Sequence, residues 1–258
     1  MTERIVLITG ASAGIGYETA MAFARLGDRV AATGRRADRL DALVAAAKGL
    51  PGEILPIVAD VTHGEAMADA VAQIAAKWGR LDVLIANAGI GQRGPIVESN
   101  WDDLDVVLRT NIDGVLHTVR AAVPLMRRGS GGTIIMISSV VSYAPGAYSG
   151  VYAASKSAVN TIARALRTEL TRDPIWVTNV ILGQTHSEFA LTRRGTPGKV
   201  ASRLPTMTAD FVASRIVALS SRRRREVILR PIDRLIVFAG VFFPWIMDRI
   251  LERVYRSS

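Results

Sequence analysis

Tyr152 and Lys156 stand four residues apart in V-Y-A-A-S-K-S-A-V, Val151 to Val159. The Ala content of this stretch and the apolar run that follows it to Leu170 predict a helix, and residues four apart on a helix leave the same face. A phenol and an ammonium are then neighbours. A free Tyr has a pKa of roughly 10 and is a poor base near neutrality, whereas a fixed positive charge beside it favours the phenolate. The pair alone reads more readily as an ordinary helix-surface contact, so its meaning has to come from the rest of the chain.

A second stretch with chemistry in it is T-G-A-S-A-G-I-G, Thr9 to Gly16, with Gly10, Gly14 and Gly16. Glycine permits a tight turn and close backbone approach, and a helix that starts there offers free N–H groups and a positive dipole end to a phosphate. Its place after the first strand of an α/β pattern points to a dinucleotide site, although the spacing is not the common G-x-G-x-x-G.

Stepping outward to the elements that would position these residues, the run Ile5 to Thr9 is apolar and β-branched and leads straight into the glycine turn and a helical pattern through Leu26. Strands are predicted at Arg29 to Thr33, Ile54 to Ala59, Leu81 to Ala86, Thr133 to Ser138, Ile175 to Leu182 and Glu226 to Leu229. Helices alternate with them at Ala37 to Lys48, Glu65 to Trp78, Trp101 to Met126, with Pro124 near its end, and Val151 to Arg172. Strands buried on both faces and joined by helices specify an α/β fold, a doubly wound parallel sheet of the Rossmann type. No linker rich in Pro, Gly or Ser and no internal repeat interrupts residues 1–258, which predicts one domain. Residues 183–208 break the rhythm with Gly195, Pro197, Gly198 and Pro205. Because ligands of open sheets sit beyond the carboxyl ends of the strands, this segment is expected to cover a substrate.

Composition removes several classes of function. The chain has no cysteine and three His (His63, His117, His186), so disulfides and thiolate metal sites are excluded and no metal site is expected. The start, M-T-E-R-I-V-L-I-T-G, lacks the basic region and long apolar run of a signal peptide, which predicts a cytoplasmic protein. The formal charge is +9. Much of the Arg lies at Arg35, Arg36 and Arg39 and at Arg222 to Arg225, without interleaved aromatic stacking platforms, so no nucleic-acid partner is expected.

With these residues in place, the chain resembles the short-chain dehydrogenase/reductase family from Ile5 to about Phe189. The family's T-G-x-x-x-G-x-G is complete at Thr9 to Gly16, and its N-N-A-G appears as Asn87, Ala88 and Gly89, with Ala86 replacing the first Asn. The Asn that kinks the family's central helix and holds a proton-relay water matches Asn111 in R-T-N-I-D-G. The catalytic Ser, thirteen residues before the Tyr, matches Ser139, and Y-x-x-x-K matches Tyr152 and Lys156. Ser138 and Ser139 would point to opposite faces of a strand, and the spacing selects Ser139.

The resemblance implies hydride transfer between a nicotinamide and a carbonyl or secondary alcohol carbon, with Asn111, Ser139, Tyr152 and Lys156 as the catalytic set. Ser139 would donate to the substrate oxygen, Tyr152 would exchange the proton, and Lys156 would lower the Tyr pKa and hold the nicotinamide ribose. Cofactor contacts are expected at Gly10, Ser12, Gly14, Ile15 and Gly16, at Asn87, Ala88 and Gly89, and at Asp60 and Val61, which resemble the family's adenine contact. After the second strand, A-A-T-G-R-R has no acidic residue for the adenosine ribose. Gly34 leaves room and Arg35 offers a guanidinium suited to a 2′-phosphate, so NADP(H) is expected over NAD(H), with Arg36 and Arg39 as solvated charges. Where the family has Pro-Gly and a Thr after the sixth strand, this chain has Leu182, Gly183 and Ser187. Ser187 keeps the hydroxyl, and Gln184 and His186 are candidates to touch substrate.

The end of the chain, residues 231–258, carries thirteen uncharged residues from Leu235 to Met247, too few to span a bilayer that needs roughly 20. It reads as an oligomer interface or lipophilic substrate pocket, as peripheral membrane contact, or as a core helix pair broken at Pro244. The expected function is thus NADP(H)-dependent oxidation or reduction of a small-molecule carbonyl or alcohol, lipophilic in character, in a homodimer or homotetramer paired through the helices at 101–126 and 151–172. The alternatives are a 3-oxoacyl thioester reductase and a nucleotide-sensing or scaffold protein of the same fold without turnover.

Overall fold

Ile5–Thr9 (β1) is buried at every position, and its place in the computed structural model explains why. It is an interior strand of the sheet, and side chains on both its faces meet helices. The structure describes residues 3–186, 188–190, 192–195 and 205–256. Among these, seven strands form one all-parallel sheet. β2 (Arg29–Gly34) and β3 (Glu53–Val58) extend one side of β1; β4 (Val83–Ala86), β5 (Gly132–Ser139), β6 (Ile175–Leu182) and β7 (Glu226–Ile228) extend the other. The order is β7-β6-β5-β4-β1-β2-β3, so the chain reverses its direction of growth between β3 and β4. A ligand cleft forms beyond the carboxyl ends of the strands at such a reversal.

The period of two divides each strand between two cores. Leu7, Leu84, Ile134 and Val177 pack under α3 (Gly64–Trp78), α5 (Gly114–Arg128) and α6 (Gly150–Glu169). Val6, Ile8, Ile85 and Val180 pack under α1 (Gly14–Arg25), α2 (Ala37–Ala46) and α7 (Ala209–Ser220). The doubly wound parallel sheet expected from the sequence is present as a single domain, with strand ends shifted by one or two residues.

The helix expected from Trp101 to Met126 is divided. α4 (Trp101–Leu108) passes into a π-type turn at Arg109–Asp113, in which the Gly114 N–H donates to the Arg109 carbonyl five residues back, and α5 then continues to Arg128. Gly114 is required there because a Cβ would run into Val61.

Within the covering segment, Thr185–His186 pairs with Met207–Thr208, and Arg194–Gly195 pairs with Gln92–Arg93, which ties the segment to the rim beyond β4. Ser187 lies outside the described residues. The end of the chain forms α8 (Pro231–Phe242) and α9 (Pro244–Arg256), each opening on a proline whose missing N–H needs no partner in a first turn. Arg230 and the buried Asp233 pair at 2.7 Å where α8 begins, against Gly183 at the exit of β6. Gly240 lies against the Tyr143 carbonyl, so a wider side chain there would force α8 away.

Candidate active site

Tyr152 and Lys156 lie on the first two turns of α6, and the residues between them fix its position. The Ser155 hydroxyl donates to the Tyr152 carbonyl at 2.7 Å and accepts from Asn111 Nδ2 at 2.9 Å. Asn111, fully buried in the π-type turn, also donates from Nδ2 to the Ile90 carbonyl and accepts the Ile90 N–H on Oδ1, both at 2.9 Å. One amide therefore holds α6, the break in the long helix, and the segment leaving β4 in a single arrangement. Gly89 completes the joint: a Cβ there would stand 3.1 Å from Asn111 Oδ1 and 3.3 Å from Lys156 Nζ.

Ser139 ends β5, and its side chain lies close enough to Tyr152 to favour the phenolate. Ser138 faces the other way and donates to the Lys156 carbonyl at 3.2 Å, as strand alternation requires. Lys156 is buried; its ammonium donates to the Ile137 carbonyl at 2.9 Å and stands 5.9 Å from the centre of the Tyr152 ring.

The electrostatics correct the expectation that Lys156 lowers the Tyr152 pKa. Burial pushes Tyr152 up to about 12, opposed by the nearby Ser139 hydroxyl and then by the Arg193 charge. Burial also pushes Lys156 down to about 8. Spacing along a helix reports neighbours, but removal of both groups from water disfavours phenolate and ammonium alike, and here that effect dominates.

The glycine turn closes against the segment after β4. Gly10 has φ +69°, and a Cβ on it would stand 2.9 Å from Ala88 Cα; a Cβ on Gly16 would collide with the Gly10 carbonyl. Asn87 Nδ2 donates to the Thr9 carbonyl at 2.9 Å, while the N–H groups of Asn87 and Ala88 both donate to Thr9 Oγ1 at 3.1 Å. Gly14 opens α1 without a side-chain cap, so the N–H groups at Ile15 and Gly16 start a helix whose positive end faces the cleft. Bare backbone N–H groups in a cradle that no side chain could share fit the diphosphate of a dinucleotide.

Beside that cradle the arginines divide differently from expectation. Arg36 reaches Ser12, donating to its hydroxyl at 3.2 Å and its carbonyl at 3.4 Å. Arg36 and Arg39 flank the Glu188 carboxylate at 3.8 Å and 3.7 Å; Arg39 stays an exposed charge as expected, while Arg36 is partly buried against Ser12. Arg35 instead leans on Asp60 at 3.9 Å. Asp60 caps its own turn, accepting from the Thr62 N–H and hydroxyl at 2.9 Å, and Val61 is buried beside Gly114. Gly34 packs against Ser12, 3.2 Å from where a Cβ would sit to the Ser12 Cβ. Gln184 and His186 are both exposed.

Two residues of the covering segment that sequence reasoning missed come close to Tyr152. The Phe189 ring is 5.6 Å away, centre to centre, and Arg193 places its charge near the phenol. Both lie against Gly91, where a Cβ would stand 3.0 Å from Phe189 and 2.8 Å from Arg193. Both stand beside Tyr152. No periodicity marks them in a segment full of turn residues.

The comparisons with known proteins agree with this arrangement. The sequence profile described as "short chain dehydrogenase" matches residues 4–197. The chain is 37% identical over 235 residues to the 3-oxoacyl-[acyl-carrier-protein] reductase FabG of Thermotoga maritima, covering 84% of this chain and 96% of that protein. Among solved structures it resembles an alcohol dehydrogenase from the archaeon Thermococcus sibiricus complexed with 5-hydroxy-NADP. There the TM-score is 0.80 at 25% identity, over 90% of this chain and 98% of that one. A short-chain dehydrogenase/reductase from Burkholderia phymatum in complex with NAD, 22% identical with TM-score 0.85 over 92% of each chain, shares the fold.

Proposed function

The chain belongs to the short-chain dehydrogenase family, and from that premise we propose that it is an NADP(H)-dependent oxidoreductase acting on a lipophilic carbonyl or secondary alcohol. The observation that carries the proposal is the placement of Ser139 close to Tyr152, beside buried Lys156 and Asn111 and next to the glycine cradle. A nicotinamide bound there would give or take the hydride.

The chain's own residues do the rest. Ser139 donates to the substrate oxygen, so that charge developing there meets a fixed donor. Tyr152, held protonated across the neutral range by burial, delivers its proton to that oxygen during reduction. Lys156, its ammonium fixed by the Ile137 carbonyl, would hold the nicotinamide ribose. Asn111 holds α6 at the correct height through Ser155. The backbone of Gly10 to Gly16 takes the diphosphate, with Asn87, Ala88 and Gly89 forming the opposite wall and Asp60 and Val61 the adenine end. Arg36, with Arg35 beside it, takes the 2′-phosphate. Phe189 excludes water above the reacting atoms, and its ring favours an apolar substrate.

A second reading, reduction of a 3-oxoacyl thioester, is favoured by the likeness to the Thermotoga maritima reductase and uses the same residues. Homo-oligomers paired through α4, α5 and α6 belong to the same proposal, as does a cytoplasmic location. Exposed Trp101 and Leu116 are available on those helices. Consumption of NADPH with a panel of ketones, aldehydes and 3-oxoacyl thioesters tests it, with Tyr152→Phe as the control. Turnover by the wild type alone supports an enzyme, and the preferred member of the panel separates the two readings. Wild type and Tyr152→Phe that both bind NADPH yet are equally inert would instead indicate a nucleotide-sensing protein.

A further inference from the structure

The helix pair α8–α9 leaves a continuous apolar surface in water. Leu235, Phe238 and Phe242, at i, i+3 and i+7, line one face of α8 with exposures of 60%, 51% and 59%. The face continues across the Pro244 break through Phe243, Trp245, Ile246 and Ile250, all exposed. Four rings form a chain at the junction: Phe238 to Phe242 at 4.7 Å, Phe238 to Phe243 at 6.0 Å and Phe243 to Trp245 at 5.7 Å between centres. The opposite side of α8 is the one in use, through the Arg230–Asp233 pair and Gly240 against Tyr143. The outward face is therefore left over after folding, and a patch of this extent marks a docking surface.

Charge decides what docks. From Arg222 to the end of the sequence there are nine Arg and four acidic residues, a net of +5 out of +9 for the whole chain. On the two helices, exposed Arg234, Arg249 and Arg253 border the apolar face, with Asp248 and Glu252 among them. A second copy would set the same basic border against itself, which opposes pairing. Aromatic and aliphatic side chains bordered by Arg, on helices lying side by side, suit an interface of hydrocarbon and anionic headgroups. Among the described residues no helix is long and apolar enough to cross a membrane. We infer that α8–α9 docks the protein on the surface of an anionic lipid bilayer, lying in the interface without spanning it.

The docking does not depend on the reaction assigned above. It does set the site's address. Gly240 rests on Tyr143, four residues beyond Ser139, and Asp233 rests on Gly183 at the exit of β6, so the side of α8 opposite the docked face packs beside the cleft.

Co-sedimentation of the full chain with phosphatidylcholine vesicles, with and without phosphatidylglycerol, tests the inference. Wild type is expected to pellet with the anionic vesicles at least about tenfold more than with phosphatidylcholine alone. The charge-neutral double variant Leu235→Ser/Phe242→Ser is expected to remain in the supernatant with an unchanged melting temperature, because both side chains are exposed. Equal pelleting with both vesicle types overturns the anionic surface, and equal pelleting of variant and wild type overturns this face as the docking site. Wild type left in the supernatant throughout overturns the inference. If light scattering then shows the double variant with fewer subunits than wild type, the occupant is a second copy of this chain.

Discussion

Lys156 spends its ammonium on the Ile137 carbonyl, 2.9 Å away at the end of β5, and not on the phenol one helical turn before it. The bond fixes the lysine's head without neutralising it, in a setting where burial holds its pKa at about 8. Tyr152, at about 12, keeps its proton through the same range.

The alkaline limb of the reductase reaction should therefore report the lysine. The kcat/KM for NADPH-dependent reduction is expected to fall as pH rises through about 8, well before Tyr152 ionises. A limb appearing only above pH 10 would contradict it. Stability has the opposite sign. Between about 8 and the ordinary lysine value near 10.5 the unfolded chain binds the extra proton, so this group's contribution rises with pH in that window. Urea unfolding of wild type against Lys156→Met at pH 8 and pH 10 measures the difference.

Replacing Tyr152 by Phe removes the proton donor and is expected to lower kcat by about 10²–10⁴. Ser139→Ala is expected to lower it by about 10²–10³, the size of losing one donor to a developing oxyanion. Fluorescence titration should find NADPH binding unchanged in Ser139→Ala.

The arginines are separable by cofactor. Arg36→Ala is expected to raise the KM for NADPH about 10–100-fold and leave that for NADH within about twofold, as befits loss of one charge-assisted contact to a phosphate. Arg35→Ala should show the smaller NADPH effect, because its guanidinium leans on Asp60 whereas Arg36 already reaches Ser12 in the cradle. Steady-state kinetics with both cofactors rank the two.

Asp233→Ala leaves Arg230 without its partner at a site of which Asp233 shows 1% to solvent, and is expected to cost about 2–4 kcal/mol of stability. Gly183→Ala should destabilise too, since the new methyl would enter the space that the Asp233 carboxylate occupies. Thermal unfolding of both variants checks this.

Much of this molecule could be read from its sequence because parallel strands buried on both faces leave predominantly apolar runs such as Ile5 to Thr9 and Ile175 to Leu182. What escaped depends on partners far along the chain. The family resemblance marks a kink at Asn111, but the periodicity of R-T-N-I-D-G does not show that the helix must open, because the cause is the fit of Gly114 on Val61 and the triple bonding of Asn111 to Ile90 and Ser155. The different neighbours of Arg35 and Arg36, Asp60 and Ser12, escaped for a similar reason. Adjacent residues look equivalent in a list, yet their side chains leave the turn after β2 in different directions. Phe189 and Arg193 lie where turn residues hide any pattern.

The opening at Arg109–Asp113 also bears on how such a site is inherited. A π-type turn is one residue more than a regular helix requires, and the helix on either side keeps its own α-helical bonding. Loss of a single codon there could restore an uninterrupted helix while α4 and α5 keep their faces toward the sheet. The amide of Asn111 would then no longer stand opposite Ile90 and Ser155. Ancestry of the scaffold and ancestry of the catalysis are thus separable in this chain by one residue of length, and a descendant could retain the whole architecture while ceasing to be an enzyme.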